Sequence, residues 1–521
     1  MGELKGLGEV DRADRVSYWM ASADPTDHDA LATEADAEFA IVGGGIVGLT
    51  TALLLAEAGR EVLVVEADRI AAGVSGYTTA KLTAGHGLLY SHLESSFGTD
   101  AARLYAESQL AGLAHVFDLC EKHAIDCDLE TRPNYVVADT DDQLEKLDDE
   151  LEASRGVRLA VRHVDDLGVV PFPAAGALVL EDQAQFHVRK YLLALADLIV
   201  RAGGRIVERS RVTEITGEGP YVVRTAEGLV RAGAVVVATH YPIVEQGFFV
   251  TRIHPYRAYV VAAPLTRNAP EGMFINTGSP TRSVRTAPLP DGRRLVLVGG
   301  EGHRVGQEED TIGRYAALER FMVEHFSVGE TMFRWSTQDN RSVDRLPYIG
   351  RAGAEGNLYV ATGFAGWGMT NGTVAALMIS DALQDKVSPW SSLYSLDRQH
   401  LAASAKRFVT ENTNVAAEEL KGAFGSGAVK SVEEIAPGQG TIVSVNGSDH
   451  AVSRDSFGGL HAVSPICTHM GCTVSWNEAE SSWDCPCHGS RFAVDGDVLH
   501  GPALQPLKAT SLGATAKTGK T

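Results

Sequence analysis

Gly43-x-Gly45-x-x-Gly48 constrains this chain more than any other feature, because it stands between an apolar run that reads as a buried strand (39–42) and one that reads as a helix. The surrounding segment, EFAIVGGGIVGLTTALLLAEAGREVLVVEAD (38–68), gives strand, glycine turn, helix and strand in that order. Each glycine has a mechanical task. Gly43 permits the tight turn, Gly45 lets the backbone approach a pyrophosphate, and Gly48 lets helix and strand pack closely. The pyrophosphate then meets the helix N-terminus, where free N–H groups and the helix dipole favour negative charge. Glu66 closes the next strand, 18 residues after Gly48, where a carboxylate bonds an adenosine ribose. The pattern predicts a dinucleotide site without choosing between NAD and FAD.

At 521 residues the chain is too long for one ordinary domain, and length alone suggests about three cores. A net charge of −21 argues against nucleic acid as a partner, since a phosphate-binding surface needs clustered Lys and Arg. The longest apolar stretch, 41–56, is broken by four glycines and fits strand, turn and helix better than a membrane span. The first twenty residues are polar and acidic with no apolar core of a signal peptide, so a cytoplasmic location is expected. Of six cysteines, Cys120 and Cys127 lie in a helix-like stretch as small hydrophobes, while four fall within 467–487 and suggest a metal site.

Residues 1–35 read as an N-terminal arm, 36–390 as one large unit, 391–431 as a helical connector and linker with a hinge at Gly425-Ser426-Gly427, and 432–521 as a small β domain. Within the large unit, helical stretches (101–123, 142–154, 188–202) mix with β-rich ones (221–238, 256–264, 293–299). The segment NLYVATGFAGWGMTNGTVAALMISDAL (357–383) again reads as strand, glycine turn and helix.

From about 36 to 385 the order of motifs resembles the D-amino-acid oxidase/glycine oxidase (DAO) family of FAD-dependent oxidoreductases. Its matching segments are the glycine motif, AAGVSGYTTAKLT (71–83), VVVATH (235–240), DRLPYIG (344–350) and GFAGWGMTNG (363–372). The resemblance implies an α/β FAD-binding Rossmann-like domain (about 36–90, 170–245 and 330–390) interleaved with an α+β substrate domain (about 90–170 and 245–330). It nominates Ser75, Thr78, Thr79 and Lys81 along the pyrophosphate and flavin, Val212 at the adenine, and Gly366, Trp367, Gly368 and Met369 over the isoalloxazine. It also implies removal of hydride from a C–H next to nitrogen, with the cofactor carrying the hard chemistry. Many members hold an amino-acid carboxylate with an Arg just before the D-x-L-P-x-I-G segment. Here RWSTQDNRSVDRLPYIG (334–350) has Gln338 and Asp339 near that place, and Arg341 or Arg257 as substitutes; these four are the catalytic candidates. VGGEGHRVG (298–306) lacks the spacing of a second dinucleotide motif, so NAD(P)H is not expected as direct donor.

PICTHMGC (465–472) and DCPCHGSRF (484–492) supply C-x-H and, after 15 intervening residues, C-x-x-H. A Rieske [2Fe–2S] centre needs two thiolates on one iron and two imidazoles on the other, which Cys467, His469, Cys485 and His488 offer on two loops. The pattern over roughly 432–510 resembles the Rieske domain of cytochrome bc-type complexes, down to CPCHGS and Gly501-Pro502-Ala503. That resemblance implies a disulfide between Cys472 and Cys487, a Ser490 hydroxyl on a bridging sulfide, and Phe492 where the respiratory proteins carry a Tyr on a ligand thiolate. Two Cys and two His also suit tetrahedral zinc, which leaves the extra cysteine pair and Ser490 unexplained. A Rieske oxygenase would need a mononuclear iron on two His and a carboxylate, and His86 and His92 have no acid at useful spacing.

The combined reading is an FAD-dependent dehydrogenase that oxidises a small amine or amino-acid-like substrate and passes electrons singly through the cluster to an external protein. The alternative is an electron-transfer component or redox sensor without turnover of its own.

Overall fold

The computed structural model describes residues 15–398, 410, 412–415, 417–418 and 431–512, apart from 245, 354 and 446. The expected hinge at 425–427 and most of the connector lie outside the described residues.

The strand Glu34–Val42 runs parallel to Val62–Val65 on one side and Leu229–Val237 on the other, with Val42 opposite both Val65 and Val237. Its apolar end, 39–42, is buried on both faces, as a central parallel strand requires. Around this core an eight-stranded sheet continues through Arg205–Val207 at one edge and Leu358–Thr362 and Tyr348–Arg351 at the other. The helix Ile46–Glu57 is buried almost all round because Gly368–Leu383 and Val188–Arg201 pack against it.

A second, nine-stranded sheet runs Phe333–Ser342, Ile253–Pro264, Arg294–Arg304, Arg282–Pro288, Met273–Asn276, Glu130–Ala138, Gly176–Gln185 and Lys81–Leu82, with Val161–His163 added beside Gly176–Gln185. Three of its strands, Lys81–Leu82, Gly176–Gln185 and Phe333–Ser342, come from segments expected in the FAD-binding part. The fold is thus the expected α/β domain interleaved with a second α+β domain, exchanging strands at different points. The small C-terminal domain is antiparallel: Gly440–Val445, Ser448–Arg454 and Leu460–Val463 form one sheet, and Ser475–Asn477, Ser482–Asp484, Arg491–Phe492 and Val498–His500 another.

The N-terminal segment is more than an extended arm. Ser17, Tyr18 and Trp19 are buried, and a short helix Tyr18–Ala21 wedges beneath residues 70–80. Cys120 and Cys127 are buried with their sulfurs 3.6 Å apart. No helix among the described residues is long and apolar enough to cross a membrane.

Candidate functional site

A cavity of about 1130 Å³ opens where the glycine turn meets the second sheet, and every nominated cofactor residue except Gly48 lines it. Gly48 acts from behind. A Cβ there would stand 1.9 Å from the Gly43 carbonyl oxygen, and Gly43 itself takes φ +111°. Glu66 accepts from the Gly44 N–H at 2.6 Å and the Asp68 N–H at 2.9 Å, which ties the turn to the end of the second strand. The Ser75 hydroxyl accepts from the Ile46 N–H at 3.1 Å, at the N-terminus of the helix whose free N–H groups would receive a pyrophosphate.

The loop at 70–80 owes its shape to distant side chains that draw its carbonyls out of the cavity. Arg189 donates to the Ile70 and Ala71 carbonyls, Ser17 to Gly76, Trp335 to Tyr77, Trp19 to Thr78, and Arg285 to Thr79 and Ala80. With the carbonyl ends of the peptide dipoles turned outward, the cavity side is kinder to an anion. None of these five donors figured in the sequence reading, because nothing in their local pattern marks a side chain that serves a loop scores of residues away. Lys81 also lines the cavity, but its ammonium donates to the Phe274 carbonyl at 2.6 Å, and burial pushes its pKa well down. Trp367 stacks on His86 with ring centroids 4.4 Å apart. Burial pushes the His86 pKa down to about 3, and both ring nitrogens are taken by hydrogen bonds to Tyr105, Thr83 and Thr370, which leaves neither for a metal.

The strand Phe333–Ser342 carries three of the four catalytic candidates, and Arg257 lies on its neighbour Ile253–Pro264. Thr337, Asp339 and Arg341 face the cavity, while Gln338 points to the opposite side, as the period of two demands. Gln338 and Arg257 are therefore corrected: neither lines the cavity. Gln338 Nε2 donates to the Gly489 carbonyl at 2.9 Å, beside His488. Arg257 donates to Ser336 at 2.5 Å and Gln338 Oε1 at 3.1 Å, and its Nε lies 3.7 Å from Asp484, beside Cys485. Arg491 completes this buried network, with Nε 3.1 Å from Asp484. Both arginines serve the junction with the small domain. That domain also walls the cavity itself, through residues such as Leu499, His500 and Ala503.

On the small domain's two loops Cys472 and Cys487 are joined in a disulfide, while Cys467 and Cys485 are free and buried. The sulfurs of Cys472, Cys485 and Cys487 cluster within 4.8 Å, but two of them are tied to each other and have no thiolate to give. The His469 and His488 rings lie 5.1 Å apart at 85°, and the Nδ1 of each is buried with no hydrogen-bond partner among the described residues. Two free thiols and two unpartnered imidazole nitrogens fit the donor set of a Rieske [2Fe–2S] cluster. The second nitrogen of His488 is oriented by a hydrogen bond to the Val250 carbonyl, so the large unit helps aim a ligand of the small one. Ser490 is buried, accepts from the Ala503 N–H at 3.0 Å, and bonds Cys467, whose thiol is held below its ordinary pKa by Cys485 first and by Ser490 and nearby N–H groups after it. Phe492 is fully buried among the four cysteines of this domain.

A dinucleotide cavity and a pair of metal-ligating loops meeting across one strand define a two-centre redox protein. Comparison with known proteins gives the same answer. The family model for FAD dependent oxidoreductases (DAO) matches residues 38–382, and that for the Rieske [2Fe-2S] domain matches 426–511. A Bacillus subtilis (strain 168) protein, YhfW, named as a Rieske 2Fe-2S iron-sulfur protein, is 35% identical over 95% of this chain and 97% of its own length. Gamma-glutamylputrescine oxidoreductase of Escherichia coli (strain K12) is 28% identical over 73% of this chain and 91% of its own. Glycine oxidase from Geobacillus kaustophilus shares the fold, with a TM-score of 0.59 at 21% identity over 70% of this chain and 99% of its own. The chain belongs to the DAO family of FAD-dependent oxidoreductases and carries a Rieske iron–sulfur domain.

Proposed function

We propose that this oxidoreductase removes two electrons from a small amine or amino-acid-like substrate at a C–N bond and delivers them singly, by way of its own Rieske domain, to an external acceptor protein. The observation that carries the reading is the double-sided strand Phe333–Ser342, whose Thr337, Asp339 and Arg341 face the cavity while Gln338 grips the loop of His488. On this reading the strand has the FAD site on one face and the cluster loop on the other. FAD bound in the cavity supplies a two-electron acceptor that can release its electrons one at a time.

The chain's own residues do the rest. Asp339 stands near the place where many relatives carry a carboxylate-binding Arg, and the reversal of sign suits a cationic amine. Its Oδ2 points toward Gly366, where an added Cβ would lie 3.8 Å away, beside the turn over the isoalloxazine. Arg341, two residues on and facing the same cavity, suits the acid end of an amino-acid-like substrate. The relative named for gamma-glutamylputrescine, itself an amine, agrees with this class.

Anaerobic bleaching of the bound flavin by a panel of 1,4-diaminobutane, its N-acetyl derivative, benzylamine, sarcosine and glycine tests the reading. Turnover with an artificial one-electron acceptor is expected for at least one amine. Flavin that no panel member reduces points instead to an electron-transfer component or a redox sensor.

A further inference from the structure

His240 ends the VVVATH segment and lines the cavity in a conformation that few residues adopt, with φ +65°. Non-glycine residues held in this left-handed region cost energy and cluster at functional sites. Here the surroundings enforce it. Asn340 Nδ2 and Thr362 Oγ1 both donate to the His240 carbonyl, at 3.1 and 2.6 Å. The ring is fixed as firmly as the backbone. Its Nδ1 lies 3.1 Å from Nε2 of His500, which the Rieske domain contributes, while the nearby Asn340 amide spends its hydrogen on the His240 carbonyl. Its Nε2 is buried, has no hydrogen-bond partner among the described residues, and lies 3.6 Å from Asp339 Oδ1.

An ammonium seated on Asp339 must lose a proton before its nitrogen lone pair can expel hydride from the neighbouring carbon. We propose that His240 Nε2 takes that proton and that His500 holds His240 in place to do so, so that the base is assembled from both domains. The substrate N–H bond breaks, its electron pair stays on the substrate nitrogen, and the proton bonds to Nε2 while Nδ1–H is donated to His500 Nε2. This inference rests on the amine reading above.

The groups facing the pair come from several elements. Asp339 favours the imidazolium, while Arg341 and Arg345, lining the same cavity, oppose it. Burial first, then His240 and the arginines Arg491, Arg257 and Arg211, hold His500 well below the ordinary histidine pKa, so it stays a neutral acceptor.

The test uses the full-length holoprotein and His240→Asn, chosen because Asn tolerates the left-handed backbone. In the wild type, the rate of anaerobic flavin bleaching by the panel amines should follow one ionisation. His240→Asn should slow bleaching about 100-fold or more and erase that ionisation. His500→Gln should move its midpoint while leaving the EPR signal of the cluster unchanged. A readout independent of turnover accompanies this: the same ionisation should appear in the visible spectrum of the resting oxidised protein titrated without amine, vanish in His240→Asn and shift in His500→Gln. Normal bleaching with an unchanged pH profile in His240→Asn overturns the base role alone. Failure of every panel amine to bleach the wild type overturns the substrate reading and the base role together.

Discussion

The four residues proposed to hold the cluster, Cys467, His469, Cys485 and His488, fall within two loops of one small domain, whereas the dinucleotide cavity takes its walls from the glycine turn, the loop at 70–80, the turn at 366–369 and even residues near His500. The first site depends on side-chain chemistry, two sulfurs and two nitrogens clamped by the Cys472–Cys487 disulfide. The second depends on backbone, kept open by Gly43 and Gly48 and shaped by Arg189, Arg285, Trp19 and Trp335 from far along the chain. A locally encoded site should fail cleanly and alone. A site assembled at long range should be sensitive to many small insults.

The largest expected effects test that independence. Cys467→Ser should abolish the cluster, read as loss of iron and labile sulfide, while FAD stays bound. Gly45→Val should do the converse: a side chain there meets Ser75 Oγ at about the 3.0 Å of a first Cβ and intrudes where the pyrophosphate belongs, so FAD is lost and iron retained. If either variant loses both cofactors, the two sites are more interdependent than this comparison allows.

The junction between the regions is next in size. Arg257→Met should leave Asp484 with one arginine in place of two and destabilise the docked arrangement by about 3 kcal/mol, the lower end for a broken buried pair, seen in denaturant unfolding as earlier loss of the Rieske domain. A control of similar size lies away from the junction. Arg398 pairs with Asp344 at 2.7 Å, both nearly fully buried, and Arg398→Met should also cost about 3 kcal/mol without freeing the Rieske domain. Burial works to raise the Asp344 pKa, but Arg398 and the hydrogen bonds outweigh it and hold the carboxyl below its ordinary value. Its stabilisation is therefore present above about pH 3.9, the ordinary Asp value, and lost as pH falls through the lower folded one. Asp344→Asn should flatten that acid limb of the stability profile.

The smallest effect concerns tuning. Phe492 packs within the core that holds the four cysteines, and its ring carries no hydroxyl. Phe492→Tyr should add a donor near a ligand sulfur and raise the cluster's midpoint potential, while Ser490→Ala removes one beside Cys467 and lowers it. Protein-film voltammetry reads both shifts. An unmoved midpoint in Phe492→Tyr means that the hydroxyl does not reach sulfur.

The same contrast explains what could be read from the sequence. The residues proposed as cluster ligands stand out in the sequence because their spacing lies within one short stretch and only a few residue types can ligate iron. The strand–turn–helix at 38–57 was legible because glycine mechanics are local. Gln338 and Arg257 were misplaced because alternation along a strand gives a period and not a phase, and the phase was set by which face met the Rieske domain. His240 carried one usable signal, a histidine closing a buried parallel strand next to the glycine motif, the crevice where such folds bind ligands. Its partner His500 carried none, since the pairing spans two domains. Tyr18 and Trp19 were read as arm for the same reason: Trp19 is held by Thr78 and Tyr18 by Pro288 and Phe333, all far along the chain.

The central claim is that the two regions act as one redox unit across the strand Phe333–Ser342, and laser-flash reduction of the bound flavin tests it without any knowledge of the substrate. The account predicts that the absorbance and EPR signature of the reduced cluster grow in as the flavin reoxidises, at a rate independent of protein concentration. A cluster that stays oxidised beside reduced flavin, or a rate that scales with protein concentration, would contradict it.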